Sequence, residues 1–216
     1  MTAGLSAQSE STRHALAEAA NRYHGEGWML GTSGNLSARI PGGSGIVITA
    51  SGCDKGRLTP ADFVEVTEAG DLVGAGEGRR ASAETSIHTA VYRTTPSAQA
   101  VLHVHTVATT LVASANEPKD DNAVEILRFK GLEMLKGWGF WDEGVEASLP
   151  TFRNHAHVPD IAAQLAHWLS TPLTNTSIKA PAMLIASHGV TAWGASLEEA
   201  HRHLEVTEFL CRLTQG

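Results

Sequence analysis

A chain of 216 residues is long enough for one sizeable apolar core and short for two domains. Its 42% hydrophobic and 18% charged residues are ordinary for a globular protein, and no apolar run approaches the roughly 18 residues of a membrane-spanning helix. The formal charge of −7 argues against a general nucleic-acid binder but leaves room for a small anionic ligand at a locally positive site. The opening MTAGLSAQSE lacks a basic start followed by an apolar stretch, so no secretory signal is expected, and residues 1–10 read as a flexible tail. Cys53 and Cys211 are expected to be free thiols in a reducing, cytoplasmic setting.

The remaining residues, 11–216, read as one α/β domain without repeats or long linkers. Leu16, Ala19, Ala20 and Tyr23 recur at helical spacing, which predicts a helix from Ser11 to about Gly25. GTSGNLSARI is a glycine turn entering a strand, GIVITASG a short buried strand, DFVEVT an alternating strand, and DLVGAGEG a strand followed by a loop. Ser82 to Arg93 reads as a helix, with Ser82 as N-cap, Glu84 in the first turn and Pro96 just beyond the end. QAVLHVHT is a strand, and Val107 to Ala115 a helix. Between Glu117 and Asn154 the pattern is weak, apart from a short helix in GLEMLKGW. Asp160 to Leu169 is helical, and AMLIASHGVTAWG reads as two strands around a glycine turn. Ser196 and Glu199 form a capping box that opens the last helix.

The chemistry concentrates on histidine. Alternate residues of a strand share a face, so His103 and His105 stand side by side with Cα atoms roughly 6.5–7 Å apart. That spacing lets two imidazoles converge on one ion. His188, at a strand end before a glycine, is a third candidate, with His88, His155 and His157 as competitors. The last two lie in a polar, loop-like setting, where exposure is the default. Glu84 sits where a helix start favours anions. GTSGN and TASGCDKG are glycine-serine turns able to offer backbone N–H groups to a phosphate, with Lys55 as an added charge, although neither has Walker spacing.

The ordered set GTSGNLSAR, TASG, SAET, VLHVHT and SHGVTAWG, closed by a helix containing EAHRHLE, resembles the class II aldolase and adducin-like family. The likeness runs from about Ser11 to Leu213. It implies a three-layer α/β/α domain around a mixed, mostly antiparallel sheet. It also implies one zinc ion per subunit on His103, His105 and His188, and a phosphate cradle including Gly34, Asn35, Ser51, Gly52 and Ser82. Glu84 falls at the position of a catalytic carboxylate. EMLKG, followed by Pro150-Thr-Phe-Arg-Asn154 and AAQLA, is similar to the branch of the family that dehydrates a methylthio-substituted ketose phosphate, which implies Glu133 as the acid/base. WGFWDEGVEASL and the HAH after Asn154 depart from that branch's pattern. The resemblance further implies a homotetramer with active sites near subunit boundaries, a small sugar-phosphate substrate, and neither nucleic-acid nor membrane partners. An aldolase, an epimerase and a non-catalytic adducin-like module are the competing expectations.

Overall fold

The computed structural model of the chain describes residues 7–74, 78–173 and 177–215. Among the described residues nine strands share one sheet: β1 (Asn35–Arg39), β2 (Ile46–Thr49), β3 (Phe63–Val66), β4 (Ala100–Val104), β5 (Glu125–Lys130), β6 (Glu146–Phe152), β7 (Ser177–Lys179), β8 (Ala182–Ile185) and β9 (Gly189–Gly194). The order is β3-β2-β1-β4-β9-β8-β6-β5, with β7 also paired to β6. β6 runs parallel to β7 and β8, and the other pairings are antiparallel. The expected mixed, mostly antiparallel sheet is therefore present.

Helices α1 (Ala7–Gly25), α3 (Val107–Ala115) and α5 (Leu197–Leu213) cover one face, where Leu16, Val112 and Leu204 pack with Leu36, Leu102 and Leu184. Helices α2 (Thr85–Thr94) and α4 (Val158–Ser170) cover the other, where Val91 and Ile161 pack with Ile48, Val101 and Met183. This gives the three layers implied above. Leu102 and Val104 point to the first core and Val101 to the second, so central β4 is buried on both faces. Among the described residues no helix is long and apolar enough to cross a membrane.

Several local expectations need correction. α1 begins at Ala7, so residues 7–10 of the expected tail are helical, while residues 1–6 lie outside the described residues. The cause is tertiary: the Ser9 hydroxyl donates to Glu65, and the Arg13 guanidinium donates to the carbonyls of Pro60 and Phe63. α2 starts at Thr85 with Glu84 at its N-cap, and Ser82 Oγ accepts from Glu84 N at 3.3 Å instead of capping the helix itself. Of the strand expected in DLVGAGEG, only a bridge from Leu72 to Val66 forms, and residues 75–77 lie outside the described residues. The weakly patterned region contains the antiparallel pair β5 and β6, with a 3₁₀ turn at Glu133–Trp138 between them. The final helix is capped as expected, Ser196 Oγ accepting from Glu199 N at 3.1 Å. Both cysteines are free thiols.

Candidate metal centre and active site

His103 lies near the end of β4, opposite Asn35 on β1 and Thr191 on β9. His105 follows the strand, and its backbone N–H donates to Trp28 O at 2.9 Å. The chain then turns at once into α3, because Thr106 Oγ1 accepts from Thr109 N at 3.1 Å. The Thr106 hydroxyl in turn donates to the buried Glu208 carboxylate on α5.

His188 arrives from the turn joining β8 to β9. Its carbonyl accepts from the Thr110 hydroxyl at 3.0 Å. The residue after it must be glycine: a Cβ on Gly189 would lie 2.3 Å from Val104 O and 3.1 Å from His105 Cδ2. Only without that side chain does β9 approach β4 closely enough for His188 to meet the other two histidines.

The three rings have centroids 4.9, 4.9 and 4.6 Å apart, and one nitrogen from each falls within a 4.8 Å group. His103 Nε2 and His105 Nε2 are 2.9 Å apart. Burial pushes the His103 imidazole below its ordinary range and that of His105 down to about 3, so both are neutral and offer lone pairs. The far side of His103 is fixed by Thr191 Oγ1, 3.0 Å from its Nδ1. Nδ1 of His188 is buried with no hydrogen-bond partner among the described residues. Three converging imidazoles, one anchored from behind and one with an unpartnered nitrogen, fit a first-row divalent cation.

Glu84 closes this group. Its Oε1 lies 3.0 Å from His188 Nε2 and its Oε2 3.3 Å from His103 Nε2. Burial on its own would raise the carboxyl, but the electrostatic attraction of the His103 ring, the hydrogen bond and attraction of the His188 ring and a hydrogen bond from Asn35 outweigh it and hold the group well below the usual carboxylate range. An ionised carboxylate thus stands against the three imidazoles.

The glycine-serine turns are tied to one another and to the segment that carries Glu84. A bridge between Ala50 and Ala81, with Ser51 N donating to Arg80 O at 2.9 Å, ties the turn at Ser51 and Gly52 to the segment that leads through Ser82 to Glu84. Buried Lys55 donates to Thr32 O and Cys53 O, each at 2.9 Å, which ties the turn before Gly34 to the turn after Gly52. Its ammonium braces the two turns instead of standing free as a point charge. Gly34 has φ +77°, and a Cβ there would lie 2.9 Å from His103 O, so this turn needs glycine to reach β4. The Asn35 side chain faces inward, with Nδ2 donating to Glu84 and Oδ1 beside His88.

Glu133 stands apart. Its side chain is 81% exposed and pairs with Lys136 at 2.8 Å, and none of the described contacts joins it to the histidines. The turn that carries it is firmly seated, because Trp138 Nε1 donates to His203 O at 3.2 Å and Gly137 presses on Val206 of α5. His155 is half-buried with Nε2 3.1 Å from Asp121 O, whereas His157 is exposed with Nδ1 3.0 Å from Asp160 at the start of α4. Sequence reading missed the supporting residues Thr191, Glu208, Ser37 and Tyr92. It weighed His88 only as a ligand, although its place four residues after Glu84 on one helix face was a usable signal.

Residues 14–214 match the model of the class II aldolase and adducin N-terminal domain family. A methylthioribulose-1-phosphate dehydratase of Microcystis aeruginosa is 44% identical over 201 residues, covering 93% of both chains. One of Bacillus pumilus is 42% identical, covering 85% of this chain and 82% of its own. Among solved structures, YgbL of Escherichia coli superposes with a TM-score of 0.75 at 25% identity, covering 95% of this chain and 88% of that one. An L-fuculose-1-phosphate aldolase of Thermus thermophilus shares the fold with a TM-score of 0.67 at 24% identity, over 98% and 95% of the two chains. The histidines at and beside the strand ends, the glycine that lets the third approach and the extent of these matches agree: the chain belongs to the class II aldolase and adducin N-terminal domain family.

Proposed function

We propose that the protein removes one water from 5-methylthioribulose 1-phosphate, giving 2,3-diketo-5-methylthiopentyl 1-phosphate, with one zinc ion held by His103, His105 and His188. The observation that carries this reading is the meeting of three imidazoles with the ionised Glu84. The relatives' common name supports dehydration over cleavage.

Zinc held by His103, His105 and His188 would supply Lewis acidity that eases loss of the proton next to the substrate's carbonyl. Glu133 removes the proton from C3 and delivers a proton to the hydroxyl leaving C4, so the C3–H and C4–O bonds break and water departs. The C3–C4 enol that results tautomerises to the 2,3-diketone. Glu84 accepts a hydrogen bond from a substrate hydroxyl and keeps the site negative beside the histidines. Backbone N–H groups of the Gly34–Asn35 and Ser51–Gly52 turns, with the Ser82 hydroxyl, hold the phosphate and orient the sugar.

The proposal includes a cytoplasmic homotetramer with active sites near subunit boundaries. The exposed apolar side chains Val107, Leu111, Phe209 and Leu213 on α3 and α5 support an assembly. Incubating zinc-loaded protein with the ketose phosphate and weighing the products by mass spectrometry tests the reading. One product lighter by a single water is expected. Two fragments would make the protein an aldolase.

A further inference from the structure

We infer that His88 is a positioning residue for Glu84, acting through the side-chain amide of Asn35. The inference rests on Glu84 belonging to the reaction site proposed above.

His88 lies on α2, fully buried, one turn after Glu84. Its Nε2 is 2.5 Å from Asn35 Oδ1 and its Nδ1 2.7 Å from Ser37 Oγ. Ser37 Oγ is 2.8 Å from the Tyr92 hydroxyl, and Asn35 Nδ2 donates to Glu84 Oε2. Asn35 and Ser37 alternate along β1, so both reach the same helix.

The chemistry of the groups sets one direction for every bond. A carboxylate only accepts, so Asn35 turns its NH₂ to Glu84 and its carbonyl to His88. His88 must then carry its hydrogen on Nε2. Its Nδ1 accepts from the Ser37 hydroxyl, and the Ser37 oxygen accepts from Tyr92. The chain Tyr92→Ser37→His88→Asn35→Glu84 leaves no member unsatisfied. Burial pushes His88 down to about 3 and the Tyr92 phenol upward, so the histidine is neutral and the tyrosine keeps its proton.

The network has a consequence for the site. Glu84 begins a helix and has no side-chain capping bond to hold it. Its Oε2 is instead gripped by an amide whose rotation is blocked by His88. Reversal of the amide would set a carbonyl against a carboxylate and an NH₂ against an N–H. His88 therefore fixes which way Glu84 faces, toward His103 and His188. A buried hydrophobe could fill the same space but could not choose the amide's orientation.

The experiment uses the zinc-loaded full-length protein and the variants His88→Phe and His88→Gln. Losing a hydrogen-bond partner behind a reacting group typically costs 10–100-fold in activity. His88→Phe is expected to lower kcat by about tenfold or more, with KM and zinc stoichiometry near wild type. His88→Gln, whose amide N–H replaces Nε2–H, is expected to recover most of that loss. Equal kcat in wild type and His88→Phe, or a folded His88→Gln as impaired as His88→Phe, overturns the inference. A second readout needs neither turnover nor a folded Phe variant: ¹⁵N-histidine NMR of the wild type, with the His88 signal assigned by its disappearance in His88→Gln. The Nε2–H tautomer at neutral pH is expected, and an Nδ1–H tautomer overturns the relay. If the wild type fails to dehydrate the ketose phosphate, the proposed reaction falls, and the tautomer still decides whether His88 orients Asn35.

Discussion

Asn35 and His103 face each other across β1 and β4, and the Asn35 amide donates to the same Glu84 carboxylate whose Oε2 lies 3.3 Å from His103 Nε2. One rung of the sheet therefore carries both a candidate metal ligand and the group that holds the acid beside it. A site built on paired strands is held to finer tolerance than one on loops, because both residues inherit the register of the ladder.

The first consequence concerns the histidines. His105→Ala removes a half-buried ring at the end of β4, so it is expected to leave the fold standing while bound zinc and activity are both lost. His103→Ala is expected to do the same with an added stability loss, since its imidazole is buried against Thr191. Metal analysis of the purified variants checks this, and stoichiometric zinc in either one contradicts the ligand assignment.

The two acids are separable. Glu133→Gln is expected to keep zinc and lose ~10²–10⁴-fold in turnover, the usual contribution of a general acid/base. Glu133 is exposed, so the melting temperature should hardly move. Glu84→Gln places an NH₂ where His103 and His188 meet a carboxylate, and weaker zinc binding should accompany its loss of rate. A dead Glu84→Gln beside a fully active Glu133→Gln would reverse the assignment of the base.

Gly189 offers a test of how β9 is placed. A methyl group there must be relieved against a backbone carbonyl, so Gly189→Ala is expected to cost about 1–3 kcal/mol in denaturant unfolding. It should also weaken zinc binding, because the relief draws His188 away from His105. A variant with wild-type zinc affinity would show that the strands can adjust without moving the ring.

The buried His88 predicts a pH dependence of stability. Its imidazole falls from the ordinary 6.5 to about 3 on folding. Between those values the unfolded chain binds a proton that the folded chain does not. Its contribution is complete above about 6.5 and is lost as pH falls toward about 3. Urea unfolding of the metal-free protein should show the midpoint falling from pH 7 to pH 5. His88→Gln, which has no proton to bind there, should show a shallower fall. An equal or steeper fall in the variant counts against this origin.

Much of the site was legible because its signals are local. His103 and His105 share a strand face by the period of two, and His188 precedes the glycine its strand requires. The braces behind them were not, because they join distant stretches: Asn35 with Glu84, Thr106 with Glu208, His103 with Thr191. Lys55 shows the same limit. A lysine in a glycine-serine turn reads as a free charge, and only the fold reveals two carbonyls closing on its ammonium. The start of α1 was misplaced for a related reason, since Ser9 and Arg13 extend the helix by bonding to β3 and the turn before it. β5 escaped notice because it lies at the sheet edge, where Phe129 is its one fully buried residue and no apolar face develops.

The most direct test of metal-dependent dehydration is one protein carried through three states: as purified, stripped by chelator, and reloaded with one equivalent of zinc. Each is given 5-methylthioribulose 1-phosphate, and the products are read by mass spectrometry. Water loss with the carbon chain intact should appear, vanish on stripping and return on reloading. A stripped protein that still dehydrates the substrate, or a reloaded one that cleaves it or leaves it unchanged, would contradict the account.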